Sequence, residues 1–275
     1  MTISTQRHAQ MSTSYPKSNI FMAAKDSPVA PWKRALNYFV VVVAVVAVVG
    51  VSLSMAGIAL NFDFVVQYRA RIWDGFCLTV FISLFSLVGS LIIGIPVALG
   101  QNARFLPVRY LCDFYVKIIR GTPLIAQIYL FYYIIGTAWG VENRVVAGIL
   151  ILSVFAGAYI AEIIRGGYES LPRGPIEAAR ALGLSRVQCA ISVELPQMVS
   201  CILPALTGQF ASIIKDSSLL SVIAVIELTQ TMREISATNY NFFGCFLLLG
   251  ALYLCLTLPI MFICRYFEKK MDYDA

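Results

Sequence analysis

The sequence predicts an all-α polytopic membrane protein with about six transmembrane helices. Composition is the first observation behind this class. The chain is 59% hydrophobic and only 13% charged, where a soluble domain carries about 25% charged residues. Its mean hydropathy is +0.77. The second observation is run length. Tyr38–Leu60, Gly75–Gly100, Gly121–Val141, Val145–Ala161, Leu195–Ile214 and Ile235–Cys264 are uncharged, and they approach or exceed the roughly 20 residues of a spanning helix. The third is parity. A barrel strand alternates polar and apolar positions, whereas these runs are apolar on both parities, the β-branched Val40–Val49 included.

The net charge of +6 is topological and does not point to a nucleic acid. Roughly 14 of the 21 Lys and Arg fall in alternate loops and the two tails. They are Arg7, Lys17, Lys25, Lys33 and Arg34, then Arg104 and Arg109, then the residues from Arg165 to Arg186, then Arg265, Lys269 and Lys270. The intervening loops hold Arg69, Arg71, Arg144 and Arg233. By the positive-inside rule both termini and the segment 168–196 are expected in the cytoplasm.

The cysteines show no paired metal-ligand spacing, and most lie in apolar runs, where a thiol behaves as a small hydrophobe. The only histidine, His8, lies in a polar tail. His-based catalysis and most zinc chemistry are thereby set aside, and the chain is expected to be non-catalytic with no bound metal.

Residues 1–35 are polar and read as a disordered cytoplasmic tail. Residues 36–62 read as a Val- and Ala-rich anchor helix with no polar face. The second helix, Gly75–Gly100, carries Ser83, Ser86, Gly89, Ser90 and Gly94, small residues that let helices approach closely. Pro96 is expected to kink it. Pro123 removes a backbone donor, so the backbone near Arg120 is expected to be perturbed. In the fourth helix Ser153, Gly157 and Ala161 make one close-packing stripe. Glu162 and Arg165, three apart, are placed to pair on one face.

Lys215-Asp216 is expected near the middle of a crossing over Leu203–Ile226, where an ionisable group costs about 3 kcal/mol. Such groups face a bundle interior, a water-filled cavity or a surface reached by a broken helix. Polarity at depth marks Thr122, Gln127, Glu162, Gln209 and Asp216 as candidates for the subunit interior or a substrate pathway.

Pro172, Gly174 and Pro175 open the loop over 168–196. Ile176–Leu184 is Ala-rich and predicts a short helix, with Glu177 in its first turn and Gly183 ending it. A second short helix, Ser185–Val193, is expected to follow, so that the pair protrudes as a knob.

Glu177-Ala178-Ala179, three residues, Gly183, nine residues, Val193, one residue, Leu195-Pro196 resembles the EAA loop of ABC importer permeases, with Val193 in place of the usual Ile. Four further strings resemble the polar amino-acid branch of that family. They are Arg120–Leu124 (RGTPL), Ala158–Gly167 (AYIAEIIRGG), Leu195-Pro196-Gln197, and Lys215–Leu219 (KDSSL). Pro175 stands where this branch has Gln, which alters the approach to the loop while leaving Glu177 and Gly183 in place.

The resemblance implies a five-helix ABC importer permease core over residues 75–268, with the first helix as an addition. It implies coupling to an ATPase through Glu177, Ala178, Ala179, Gly183, Val193, Leu195 and Pro196. The implied partners are a cytoplasmic ABC ATPase dimer, a second permease subunit, an extracytoplasmic solute-binding protein and a polar amino acid, in an inner membrane. ATP would bind the partner, since the chain has no Gly-Lys pair and no phosphate-cradling loop. A secondary transporter or channel independent of ATP remains the alternative, as it too has six helices and buried charges.

Overall fold

The computed structural model describes the backbone of residues 30–55, 57 and 60–271, with side chains as far as residue 263 and at Tyr266. The described residues are helical, with no strand. The chain divides into two units, 1–60 and 61–275.

In the first unit α1 spans Pro31–Met55. It begins inside the stretch expected to be tail, because Pro31 suits a first helical turn and Lys33, Arg34 and Ala35 are good helix formers. Beyond its end Gly57 takes φ +65, a conformation that stops the helix short of the expected residue 62. Residues 1–29 of the expected tail lie outside the described residues.

The second unit contains α2 (Asp63–Gln67), α3 (Arg69–Gln101), α4 (Leu106–Gly121), α5 (Leu124–Tyr129, extended by a π-helix to Gly136) and α6 (Arg144–Glu169). It continues with α7 (Arg173–Ala181), α8 (Arg186–Cys189, extended by a π-helix to Glu194), α9 (Leu195–Asp216), a 3-10 helix (Ser217–Ile223), α10 (Leu228–Asn239) and α11 (Phe242–Met271). Among the described residues five helices are long and apolar enough to span a membrane, or six if α4 and the α5 segment count as one bent span.

Small residues fix the central pair. A Cβ on Gly89 would strike Ser153 Oγ, one on Gly94 would come within 2.9 Å of Gly157 O, and one on Gly157 would meet Ile93 at 3.0 Å. Ser153 and Ala161 are buried in the same stripe. These contacts run α3 and α6 side by side in the same direction, as the small-residue spacing anticipates. On α3, Ser83, Ser86, Ser90 and Gly94 are buried, so they pack. The helix continues through Pro96 to Gln101. Gly167 of α6 meets Ile202 and Met198 of α9, while Gly148 meets Leu220, so α9 returns antiparallel.

The expected crossing Leu203–Ile226 lies largely within one continuous helical span, Arg186–Ile223, whose last turns tighten to 3-10 geometry. α9 stops at Asp216, the 3-10 helix ends at Ala224 with φ 55, and α10 runs back along the start of α3. The first N–H groups of α10 have partners, as buried backbone donors require. Glu227 accepts from Thr229 N and Gln230 N at 2.8 Å each, and Leu228 N donates to Thr79 Oγ1 at 3.0 Å.

One end of the bundle carries Arg69, Arg71, Arg144 and Arg233, with Arg71 paired to Glu234. The opposite end carries Arg104, Arg109, Arg165, Arg173, Arg180 and Arg186. The charge asymmetry of the sequence is therefore sided in space.

Candidate coupling segment and polar site

The segment after α6 is a helix–turn–helix closed by two linked motifs. Gly183 N donates to Arg180 O at 3.0 Å and Leu184 N to Ala179 O at 3.2 Å, the Schellman pairing that satisfies the last carbonyls of α7. Gly183 sits at φ +83 with nothing within 4 Å of a Cβ. Glycine is favoured there by backbone conformation and not by crowding. Ser185 then caps α8: its Oγ accepts from Gln188 N at 3.3 Å while its own N–H donates to Gln188 Oε1 at 2.9 Å.

The structure corrects three expectations for this segment. α7 starts at Arg173, so Glu177 lies in its second turn and no acidic residue occupies the first. The helix-dipole argument for Glu177 fails, because Pro172 at the cap and Pro175 within the first turn let the helix start earlier. Ala179 is buried, at 6% exposure, against the chain's own α8 segment, so of the two alanines only Ala178 is free to meet a partner. The second short helix is not separate: α8 runs through αR residues at Ala190 and Leu195 directly into α9. Val193 is half-buried, while Leu195 and Pro196 are exposed on this continuous rod.

Reading the EAA spacing alone also misses the apolar cap of the knob. Leu182, Val187 and Ile191 are 82%, 67% and 61% exposed. Cys189 beneath them is buried and faces Ile176 O and Glu194. An apolar residue beside a Schellman glycine, followed five residues on by the first of two more spaced four apart, is the sequence signal that finds them.

The candidate pathway residues fall into two groups. Thr122 ends α4 in an extended conformation, and the chain turns by 112° into the α5 segment, as Pro123 predicts. Gln127 is buried and clamps this corner, its Nε2 2.7 Å from Ile119 O and 2.7 Å from Thr122 Oγ1. Two residues before the corner, Arg120 Nη1 lies 3.3 Å from Glu162 Oε1, and its guanidinium stands 5.4 Å from the Tyr159 ring. Arg165 grips both oxygens of Glu162 and also bonds Glu169. Thr122, Gln127 and Glu162 therefore belong to one corner. Gln209 and Asp216 lie apart on α9, and among the described residues no hydrogen bond or ion pair links either to that corner. Among the described residues Lys215 and Asp216 form no salt bridge with each other.

Glu227 was not singled out by sequence. It is fully buried and bonds Tyr253 Oη at 3.0 Å as well as capping α10. Its polarity is consumed by capping α10, a feature that hydropathy alone does not announce. No group of three or more His, Cys, Asp or Glu suited to a metal occurs among the described residues.

Residues 90–273 match the family described as binding-protein-dependent transport system inner membrane component. The chain is 33% identical over 199 residues to the probable glutamine ABC transporter permease protein GlnM of Bacillus subtilis, covering 72% of this chain and 92% of that one. It is 34% identical over 201 residues to the glutamine transport system permease protein GlnP of Escherichia coli K12, covering 72% and 91%. Among solved structures, an amino acid ABC transporter crystallised with histidines superposes with a TM-score of 0.72 at 29% identity, over 78% of this chain and all of that one. The MetNI methionine ABC transporter, at 20% identity and TM-score 0.61, shares the fold. The chain belongs to the family of binding-protein-dependent transport system inner membrane components.

Proposed function

We propose that the chain is a permease subunit of an ATP-driven importer of a polar amino acid, with glutamine as the first candidate. In this reading it forms the translocation pathway with a second permease subunit. It receives solute from an extracytoplasmic binding protein and couples through residues 168–196 to a cytoplasmic ABC ATPase dimer, which holds the ATP. The arginine-rich end of the bundle and both termini face the cytoplasm.

The observation that carries this reading is the knob formed by α7 and α8. It presents Glu177, Ala178 and Leu182 from α7, and Val187 and Ile191 from the α8 segment that is continuous with α9. A push on the knob is transmitted along α9 as a rigid element, and Gly167 against Ile202 passes it to α6. Glu162 then links α6 to the corner after Arg120, so the ATPase and the pathway bias a common set of packed helices. Substrate selection and the roles of Thr122, Gln127, Glu162, Gln209 and Asp216 in the pathway follow from this arrangement as proposals.

The test is reconstitution of the chain with its ATPase and binding protein in proteoliposomes. Labelled glutamine should accumulate only with ATP on the knob side. Uptake that proceeds without ATP would return the secondary-transporter reading.

A further inference from the structure

We infer that the cleft between α3, α4 and α6 binds the headgroup of an anionic glycerophospholipid. The proposal is independent of the transport reading and rests on the geometry of α4. This helix stays at one end of the bundle. Near its middle Asp113 accepts from Gln101, the last residue of α3, at 3.1 Å, and near its end Arg120 meets Glu162 on α6. With 33 residues, α3 is about 50 Å long and outruns a hydrocarbon core of about 30 Å. Its final turn, and the cleft beside it, therefore reach the headgroup layer.

The charges around this cleft of about 380 Å³ do not cancel. Arg120 and Arg165 are occupied by Glu162 and Glu169. The side chains of Arg109 and Lys117 make no hydrogen bond or ion pair among the described residues, and Asp113 is the carboxylate between them, one helical turn from each. This leaves one net positive charge. Gln101 Oε1 is buried in the cleft without a donor, so the site asks for a hydrogen-bond donor as well as an anion. A phosphodiester with a neighbouring glycerol hydroxyl supplies both: one negative charge for Arg109 and Lys117, and a hydroxyl for Gln101 Oε1.

Continuity with an apolar surface selects a lipid over a soluble anion. On α4 the stripe Arg109, Asp113, Lys117 borders a second stripe of Tyr110, Phe114, Leu111 and Ile118, which are 66%, 63%, 68% and 47% exposed. Headgroup contacts and acyl-chain contacts thus lie side by side on one amphipathic helix, the arrangement of an interfacial helix.

Native mass spectrometry of the full chain in detergent tests this with two probes of matched acyl chains, phosphatidylglycerol and phosphatidylcholine. The wild-type chain should retain phosphatidylglycerol preferentially. At about tenfold for each 1.4 kcal/mol and about 1 kcal/mol per basic residue, Arg109→Ala with Lys117→Ala should lower retention about thirtyfold. Arg233→Ala, at the other end of the bundle, should not. Asp113→Asn should raise retention by removing the opposing carboxylate, so the proposal stays testable if the double variant fails to fold. Equal retention of both lipids, unchanged retention in the double variant, no gain in Asp113→Asn, or displacement by millimolar glycerol 3-phosphate would each overturn it, the last by showing a soluble-anion site.

Discussion

Arg120 Nη1 lies 3.3 Å from Glu162 Oε1, and Arg165 bonds the same carboxylate from one turn further along α6. The corner between α4 and α5 is thereby tied to the root of the helix–turn–helix. Both pairs are partly exposed, with side chains 27–40% accessible, so solvent screening limits their worth. A double-mutant cycle between Arg120→Ala and Glu162→Ala should give a coupling energy of about 0.5–1 kcal/mol. It is read from thermal unfolding in detergent. Strict additivity would show that the pair ties nothing.

Gly167 and Gly166 form a paired packing test. A Cβ on Gly167 would overlap Ile202 Cγ2, whereas one on Gly166 meets nothing within 4 Å. Gly167→Ala should destabilise by about 1–3 kcal/mol through overpacking, and Ile202→Ala, which removes the Cγ2 it strikes, should cost less in the Gly167→Ala background than in the wild type. Gly166→Ala should be neutral or slightly stabilising, since alanine favours the helix. Equal effects at the two positions in a detergent melting assay would contradict the α6–α9 contact described here.

Much of this was legible in the sequence. Small-residue spacing marked the close-packing faces of α3 and α6 without pairing them, Pro123 found the corner after Arg120, and the three-residue spacing found Glu162 with Arg165. What escaped was backbone that leaves regular helix inside an apolar run. The change to 3-10 geometry after Asp216 lies inside one apolar span, and the start of α10 is marked by the buried cap of Glu227 and Thr79, which only tertiary structure assembles. Glu177 was misplaced within its helix because two prolines in the first turns read as loop punctuation, although proline is compatible with a helix start. Ala179 is buried by a neighbour that spacing cannot see.

The proposed membrane orientation puts the arginine-rich end of the bundle and both termini in the cytoplasm. Reporter fusions after Lys33 and after Lys270 should both report cytoplasm. An exported signal at either position would break the even number of crossings.

The backbone at Gly183 sets the direction of the knob, because φ +83 with free space around it penalises side chains through conformation alone. The left-handed region costs an ordinary residue roughly 1–2 kcal/mol, with Asn tolerated better and β-branched residues worst. ATP-driven uptake should fall in the order Gly183, Gly183→Asn, Gly183→Ala, Gly183→Val, at equal amounts of chain in the membrane. Wild-type uptake by Gly183→Val would remove the turn from the account.

The central claim is that the α7–α8 knob transmits ATP hydrolysis to the pathway, and its exposed apolar cap offers the most direct measurement. In proteoliposomes holding the chain, its ATPase and loaded binding protein, the stimulated ATPase rate is compared for wild type, Leu182→Asp and Gly183→Arg. Leu182 is 82% exposed, so a charge there leaves the fold intact while placing a carboxylate in the proposed contact. The account predicts that both variants insert normally but lose stimulation and glutamine uptake together. Stimulation and uptake at wild-type levels in both variants would contradict it.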